Sequence, residues 1–250
     1  MTSLHSERTF CVRPRSRTVS APKPPAFREL RRTLRQDRYP RVWKPAAWPS
    51  YQSTLWQGSE REALEIESPL QGLTPPWKVM VMSDGSVTRH LHLLTGTPIT
   101  VDCLQMADIG RDHAGLPVAA QHMAGGDALV QRQVLLRHMP DREPLVYACS
   151  WWKAEEVGQY LKDSSKPIWV SLSQERMELH RDIQFISLGH SSKLEELLGQ
   201  SGPFWGRQYL FWHNRQPLTV IDEVFSPALD KYLGSSAPSM QPQAWKPGLH

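Results

Sequence analysis

The sequence predicts an α+β fold, a single domain in which helices flank an antiparallel β-sheet. Three observations lead there. Residues 129–138 (LVQRQVLLRH) and 144–152 (PLVYACSWW) alternate as strands do and flank the turn-rich MPDRE, the pattern of a β-hairpin. Residues 205–213 (WGRQYLFWH) and 217–225 (PLTVIDEVF) flank NRQ, a second hairpin with Asn214 suited to a tight turn. Helical patterns are fewer and lie between the hairpins.

Taken in chain order, residues 1–27 are rich in Arg, Ser and Pro with one acidic residue, a composition that builds no core. They read as a disordered basic tail and also resemble a targeting segment, without the long apolar stretch of a secretory signal. Residues 28–76 form a partly helical extension, interrupted by Pro40 and Pro45 and closed by the prolines at 75 and 76. The main domain is expected over residues 77–236, followed by a flexible tail over 237–250. Within it, 107–128 is rich in Gly, Ala and Asp and reads as a loop or cover. Helices are expected at 152–163 and at 191–199, the second with Ser192 and Glu195 in capping-box spacing. Residues 177–188 (MELHRDIQFISL) form a further candidate strand.

Charge and composition narrow the function. Residues 1–50 hold twelve Lys/Arg against three Asp/Glu, while the remaining 200 hold 17 against 22. The basicity therefore belongs to the leading segment, and a folded nucleic-acid-binding face is not expected. Cys11, Cys103 and Cys149 match neither a zinc spacing nor a disulfide framework. His90 and His92 would share a face on a strand, but no third ligand stands at a supporting spacing, so no metal is expected. Phosphate-cradling glycine loops and a Gly-x-Ser-x-Gly elbow are missing. No apolar run approaches the ~18 residues that span a bilayer.

Strand parity gives the sharpest signal, because residues two apart share a face. Arg132 is in register with Val130, Val134 and Leu136; Arg207 with Trp205, Tyr209 and Phe211; Glu223 with Thr219, Ile221 and Phe225. Three ionisable groups thus fall on the apolar side of the strands. Burying an isolated charge costs several kcal/mol, so each needs a partner. That partner is an internal Arg–Glu network, water at an exposed face, or an anionic, hydroxylated ligand. Parity alone leaves all three open.

The motifs Trp205-Gly206-Arg207, Pro217-Leu218, Glu223 and Phe225-Ser226-Pro227 resemble the C-terminal signature of the chorismate pyruvate-lyase family. Upstream, DGSVTRHL (84–91), RQVLL (132–136), KPIW (166–169) and ELHRDI (178–183) resemble that family's segments in family order. The resemblance spans about residues 77–234 and is closest to the branch of photosynthetic prokaryotes and plastids. It implies an internal pocket under mobile helical flaps, and a cofactor-free lyase that eliminates pyruvate from chorismate to give 4-hydroxybenzoate for prenylquinone synthesis. It also implies Arg132 as the carboxylate clamp, Glu223 as the hydroxyl partner, and contacts at Val87 and Ile168. The last two differ in apolar type from the family residue, and Trp169 replaces a small one. Arg207, with Glu223, is the second catalytic candidate, facing the side-chain carboxylate or the departing oxygen. Partners are then chorismate and 4-hydroxybenzoate, not nucleic acid. A monomer is expected, in the cytoplasm or, if the leader is a transit peptide, in the plastid stroma. The alternative is a non-catalytic, sensor-like ligand-binding domain of the same fold.

Overall fold

The computed structural model describes residues 50–161, 168 and 180–237. Seven strands form one sheet: β1 (Ser53–Gly58), β2 (Ile99–Gly110), β3 (Leu129–His138), β4 (Pro144–Lys153), β5 (His180–His190), β6 (Phe204–His213) and β7 (Gln216–Phe225). Their order is β1-β5-β6-β7-β4-β3-β2, and every neighbouring pair is antiparallel. Around it lie α1 (Glu60–Ala63), α2 (Pro75–Met82), α3 (Val87–Thr95), α4 (Val118–Ala124), α5 (Val157–Tyr160), α6 (Ser192–Leu198) and α7 (Asp230–Leu233). The fold is the expected α+β class. Among the described residues no helix is long and apolar enough to cross a membrane.

Both expected hairpins form. The turn between β6 and β7 places Asn214 and Arg215 at φ 50° and 62°, the left-handed pair that matches the twist of a two-residue hairpin loop. Several boundaries differ from expectation, each for a local reason. The sheet takes in Ser53–Gly58, so it reaches upstream of the expected start at residue 77. Pro75 and Pro76 open α2 instead of breaking the chain, because proline lacks only an amide that the first turn leaves unused. Residues 107–110 finish β2 and 118–124 form α4, so the expected cover shrinks to the segment between them. Trp152 and Lys153 stay in β4, and the helix expected at 152–163 reduces to the single turn Val157–Tyr160; residues 162 and 163 lie outside the described ones. Ser191, not Ser192, caps α6. The Ser192 hydroxyl accepts from Gln52 instead (2.9 Å), and Glu195 accepts from the Gly202 amide (3.0 Å). His90 and His92 sit on α3, not on a strand; Ser86 caps its start and Gly96, at φ 67°, its end. The candidate strand at 177–188 runs from His180 to His190, and residues 177–179 lie outside the described ones.

The central strands are buried on both faces. On the front face, β3, β4, β6 and β7 contribute Val130, Val134, Trp152, Tyr209, Ile221 and Phe225, closed over by Trp77, Met80, Val87 and Leu91 from α2 and α3. On the back face the alternate residues Leu135, Tyr147, Trp151, Phe204, Val220 and Val224 pack against Ala120 and Met123 of α4 and Leu194 and Leu198 of α6.

Candidate functional site

A row of paired residues crosses the front face from Arg132 through Ser150 and Ile221 to Tyr209. The next row runs from Val134 through Ala148 and Glu223 to Arg207. Strand β4 lies between β3 and β7, so the backbones of Arg132 and Glu223 stand about 12 Å apart, two strand spacings across the sheet and two residues along it. Between them β4 presents only Ala148 and Ser150. Small residues flanked by large ones leave a hollow, and a cavity opens there, lined by Ser86, Val87, Thr88, Val101, Arg132, Val134, Leu136, Ala148, Ile168, Arg181, Tyr209, Phe211, Ile221 and Glu223.

The charges around this cavity are held in place. The Arg207 Nε donates to Glu223 Oε2 at 2.8 Å, and the Tyr209 hydroxyl donates to Glu223 Oε1 at 2.8 Å. The Arg207 side chain is itself fully buried. Its Nη1 donates to the carbonyls of Met80 (3.3 Å), Val81 (2.9 Å) and Ser83 (2.6 Å), which end α2. A cation there complements the negative end of the helix. One guanidinium thus fastens α2 to the sheet and fixes the glutamate. Arg181 lies over the rings of Tyr209 (4.3 Å) and Phe211 (4.9 Å) and donates to the carbonyls of Gly85 and Ser83. The first turn of α3 forms another wall, where the positive end of the helix favours an anion. His90 of the same helix is pushed below its ordinary pKa by burial and then by the Arg207 and Arg181 charges. The Tyr209 phenol is pushed upward, mainly by burial and then by Glu223, so it stays a donor.

Of the residues singled out from sequence, Val87, Arg132, Ile168 and Glu223 line this one cavity. Arg207 does not: its guanidinium faces Glu223 and the end of α2, where a ligand-facing position was expected. Residue Trp169 lies outside the described ones. Arg181, Tyr209 and the start of α3 were missed as site elements. Arg181 could have been found, since it pairs with Phe211 across β5 and β6, but a bulge between Ile183 and Phe185 shifts parity along β5.

Two cations, one fixed acid, a helix start and apolar walls define a small-molecule-binding domain. A family model described as chorismate pyruvate-lyase, Rv2949c-like, matches residues 81–233, and the chain belongs to that family. It is 35% identical to the uncharacterized protein ycf21 of Cyanophora paradoxa, over 70% of this chain and 89% of that one. The ycf21 protein of Porphyra purpurea is 32% identical over 62% of this chain and 83% of its own. Among solved structures, the effector domain of PhnF from Mycobacterium smegmatis is similar at 12% identity and a TM-score of 0.44, covering 58% of this chain and 90% of that one.

Proposed function

We propose that the protein is a chorismate lyase, which converts chorismate to 4-hydroxybenzoate and pyruvate. The observation that carries this reading is the spacing of Arg132 and Glu223 across the small residues of β4. A six-membered ring with a carboxylate at one end and a hydroxyl at the other fits between a guanidinium and a carboxylate so placed. Arginine pairs with the ring carboxylate through both oxygens. Glu223 accepts from the ring hydroxyl. Arg181 and the start of α3 serve the second carboxylate, on the enolpyruvyl side chain.

The reaction breaks the bond between the ring and the ether oxygen of the side chain. The hydrogen on the hydroxyl-bearing ring carbon leaves as a proton, its electron pair completes the aromatic ring, and the enolpyruvyl methylene takes up a proton to give pyruvate. No electrons enter or leave, and aromatisation drives the step. Glu223 already accepts from Arg207 and Tyr209. A carboxylate whose two oxygens are both engaged is a well-fixed acceptor. This favours direct transfer of the ring proton to the methylene within a cyclic transition state, with the protein supplying orientation and charge stabilisation. Arg207 is then a positioning residue acting through Glu223. The product would feed a prenylquinone pathway.

Purified protein incubated with chorismate should release 4-hydroxybenzoate and pyruvate in equal amounts, followed by chromatography and by a lactate dehydrogenase couple. Binding of 4-hydroxybenzoate without turnover would replace the lyase with a sensor-like domain.

A further inference from the structure

Thr88, at the second position of α3, lines the front cavity and is half-buried. A threonine inside a helix ordinarily turns its hydroxyl onto the carbonyl three or four residues back. Here those residues are Gly85 and Asp84, which precede the Ser86 cap, so α3 offers Thr88 no helical carbonyl. The Gly85 carbonyl accepts from Arg181 instead. Among the described residues the Thr88 hydroxyl makes no hydrogen bond, and unlike the Thr100 hydroxyl it is not closed off from its surroundings. A donor is left over on the cavity wall.

The contacts of Arg181 fix which end of the cavity Thr88 serves. The Arg181 guanidinium lies 4.3 Å from the centre of the Tyr209 ring, and Tyr209 donates to Glu223 at 2.8 Å. The Ser83 carbonyl, just before α3, accepts from Arg181 at 3.4 Å and from Arg207, the partner of Glu223, at 2.6 Å. The start of α3 therefore stands at the Glu223 end, whereas Arg132 lies three strands from Tyr209 along their shared row. Arg181 commits Nη1 to the two carbonyls, and no hydrogen bond holds its Nη2 among the described residues. A hydroxyl and a cation thus flank the place next to the ring hydroxyl.

We propose that Thr88 is the residue by which the site selects an acidic arm on its ligand. Its hydroxyl donates to a carboxylate carried on the ring carbon beside the hydroxyl-bearing one, and Arg181 supplies the counter-charge. The ligand class is a hydroxylated ring acid with an acidic ether substituent at that neighbouring carbon. The assignment rests on the lyase reading for where the ring lies, and goes beyond it in giving the selection to one hydroxyl.

The test is calorimetric titration of the full chain with 3-(carboxymethoxy)-4-hydroxybenzoate and its uncharged counterpart, 3-(carbamoylmethoxy)-4-hydroxybenzoate. 4-Hydroxybenzoate, which lacks an arm, reports on the ring position alone. The wild type should bind the carboxymethoxy probe at least about tenfold more tightly than the carbamoylmethoxy one, as hydrogen bonds to a charged group require. Thr88→Val keeps the branched shape and removes the hydroxyl. It should weaken the carboxymethoxy probe about tenfold and hold 4-hydroxybenzoate within about twofold of the wild type. Thr88→Ser, which still donates, should stay within about threefold of the wild type for the carboxymethoxy probe. The proposal alone is overturned if 4-hydroxybenzoate binds but the wild type shows no preference for the charged arm. It is equally overturned if Thr88→Val leaves the carboxymethoxy affinity intact, or weakens it no more than that of 4-hydroxybenzoate. A wild type that binds no 4-hydroxybenzoate overturns the lyase reading and this proposal together.

Discussion

Alternate residues of the same four strands build two faces with opposite electrostatic solutions. On the front, Arg207, Glu223 and Tyr209 form a charged network whose members are fixed by one another. On the back, Tyr147 donates to Gln133, Gln133 to Gln131, and Gln208 to Asp222, so the polar groups are amides, a phenol and a carboxyl that holds its proton. Buried charge persists where partners converge, and a lone carboxyl in similar burial protonates instead. A face that keeps its charges can select an anion.

The largest effect on this contrast should come from Arg207→Met. It removes the partner of Glu223 and the donor to three carbonyls, and urea unfolding should show a loss of about 3–5 kcal/mol. Next, Arg132→Ala should weaken 4-hydroxybenzoate binding by roughly two to three orders of magnitude in a calorimetric titration. An unchanged dissociation constant would remove Arg132 from the site. Tyr209→Phe leaves one oxygen of Glu223 without its donor and should reduce stability in urea unfolding by about 1.5–3 kcal/mol, the worth of a hydrogen bond to a charged group.

The back face has its own signature in pH. The folded protein holds a proton on Asp222 up to about 8, whereas the unfolded chain releases it near 3.8. Between those values the native state binds more protons, so this group's contribution to stability is greatest below the lower value and falls as pH rises through the window. Unfolding midpoints measured across pH 4–9 should carry that slope in the wild type, and Asp222→Asn should flatten it. The smallest effect belongs to the shared hairpin tip. Asn214→Ala, at φ 50°, should cost about 1 kcal/mol and leave ligand affinity unchanged.

Much of the front face was legible in the sequence because alternation is strict along β3, β6 and β7, and parity put Arg132, Arg207 and Glu223 on one side. The back face was not. Gln131 and Gln133 alternate with the front-face residues of β3, yet they are 2% and 4% exposed because α4 and α6 cover that side. Edge strands were also hidden. β2 is half-buried throughout and bulged at Cys103/Gln105 and Asp108/Gly110, so neither apolar content nor period marks it. β1 is mostly exposed and joins the sheet by pairing with β5, far along the chain. The helix at Val87–Thr95 was signalled by Ser86 and Gly96, but its histidines drew attention to a strand period instead. Arg207 shows the limit of parity: it gave the correct face and could not tell that the guanidinium serves the end of α2.

The most direct measurement is a crystal structure of the protein with 4-hydroxybenzoate. The account predicts the carboxylate on the Arg132 guanidinium and the phenol oxygen on Glu223, within the front cavity. A molecule seated beside Asp222 on the back face, or turned so that its carboxylate avoids Arg132, would contradict it.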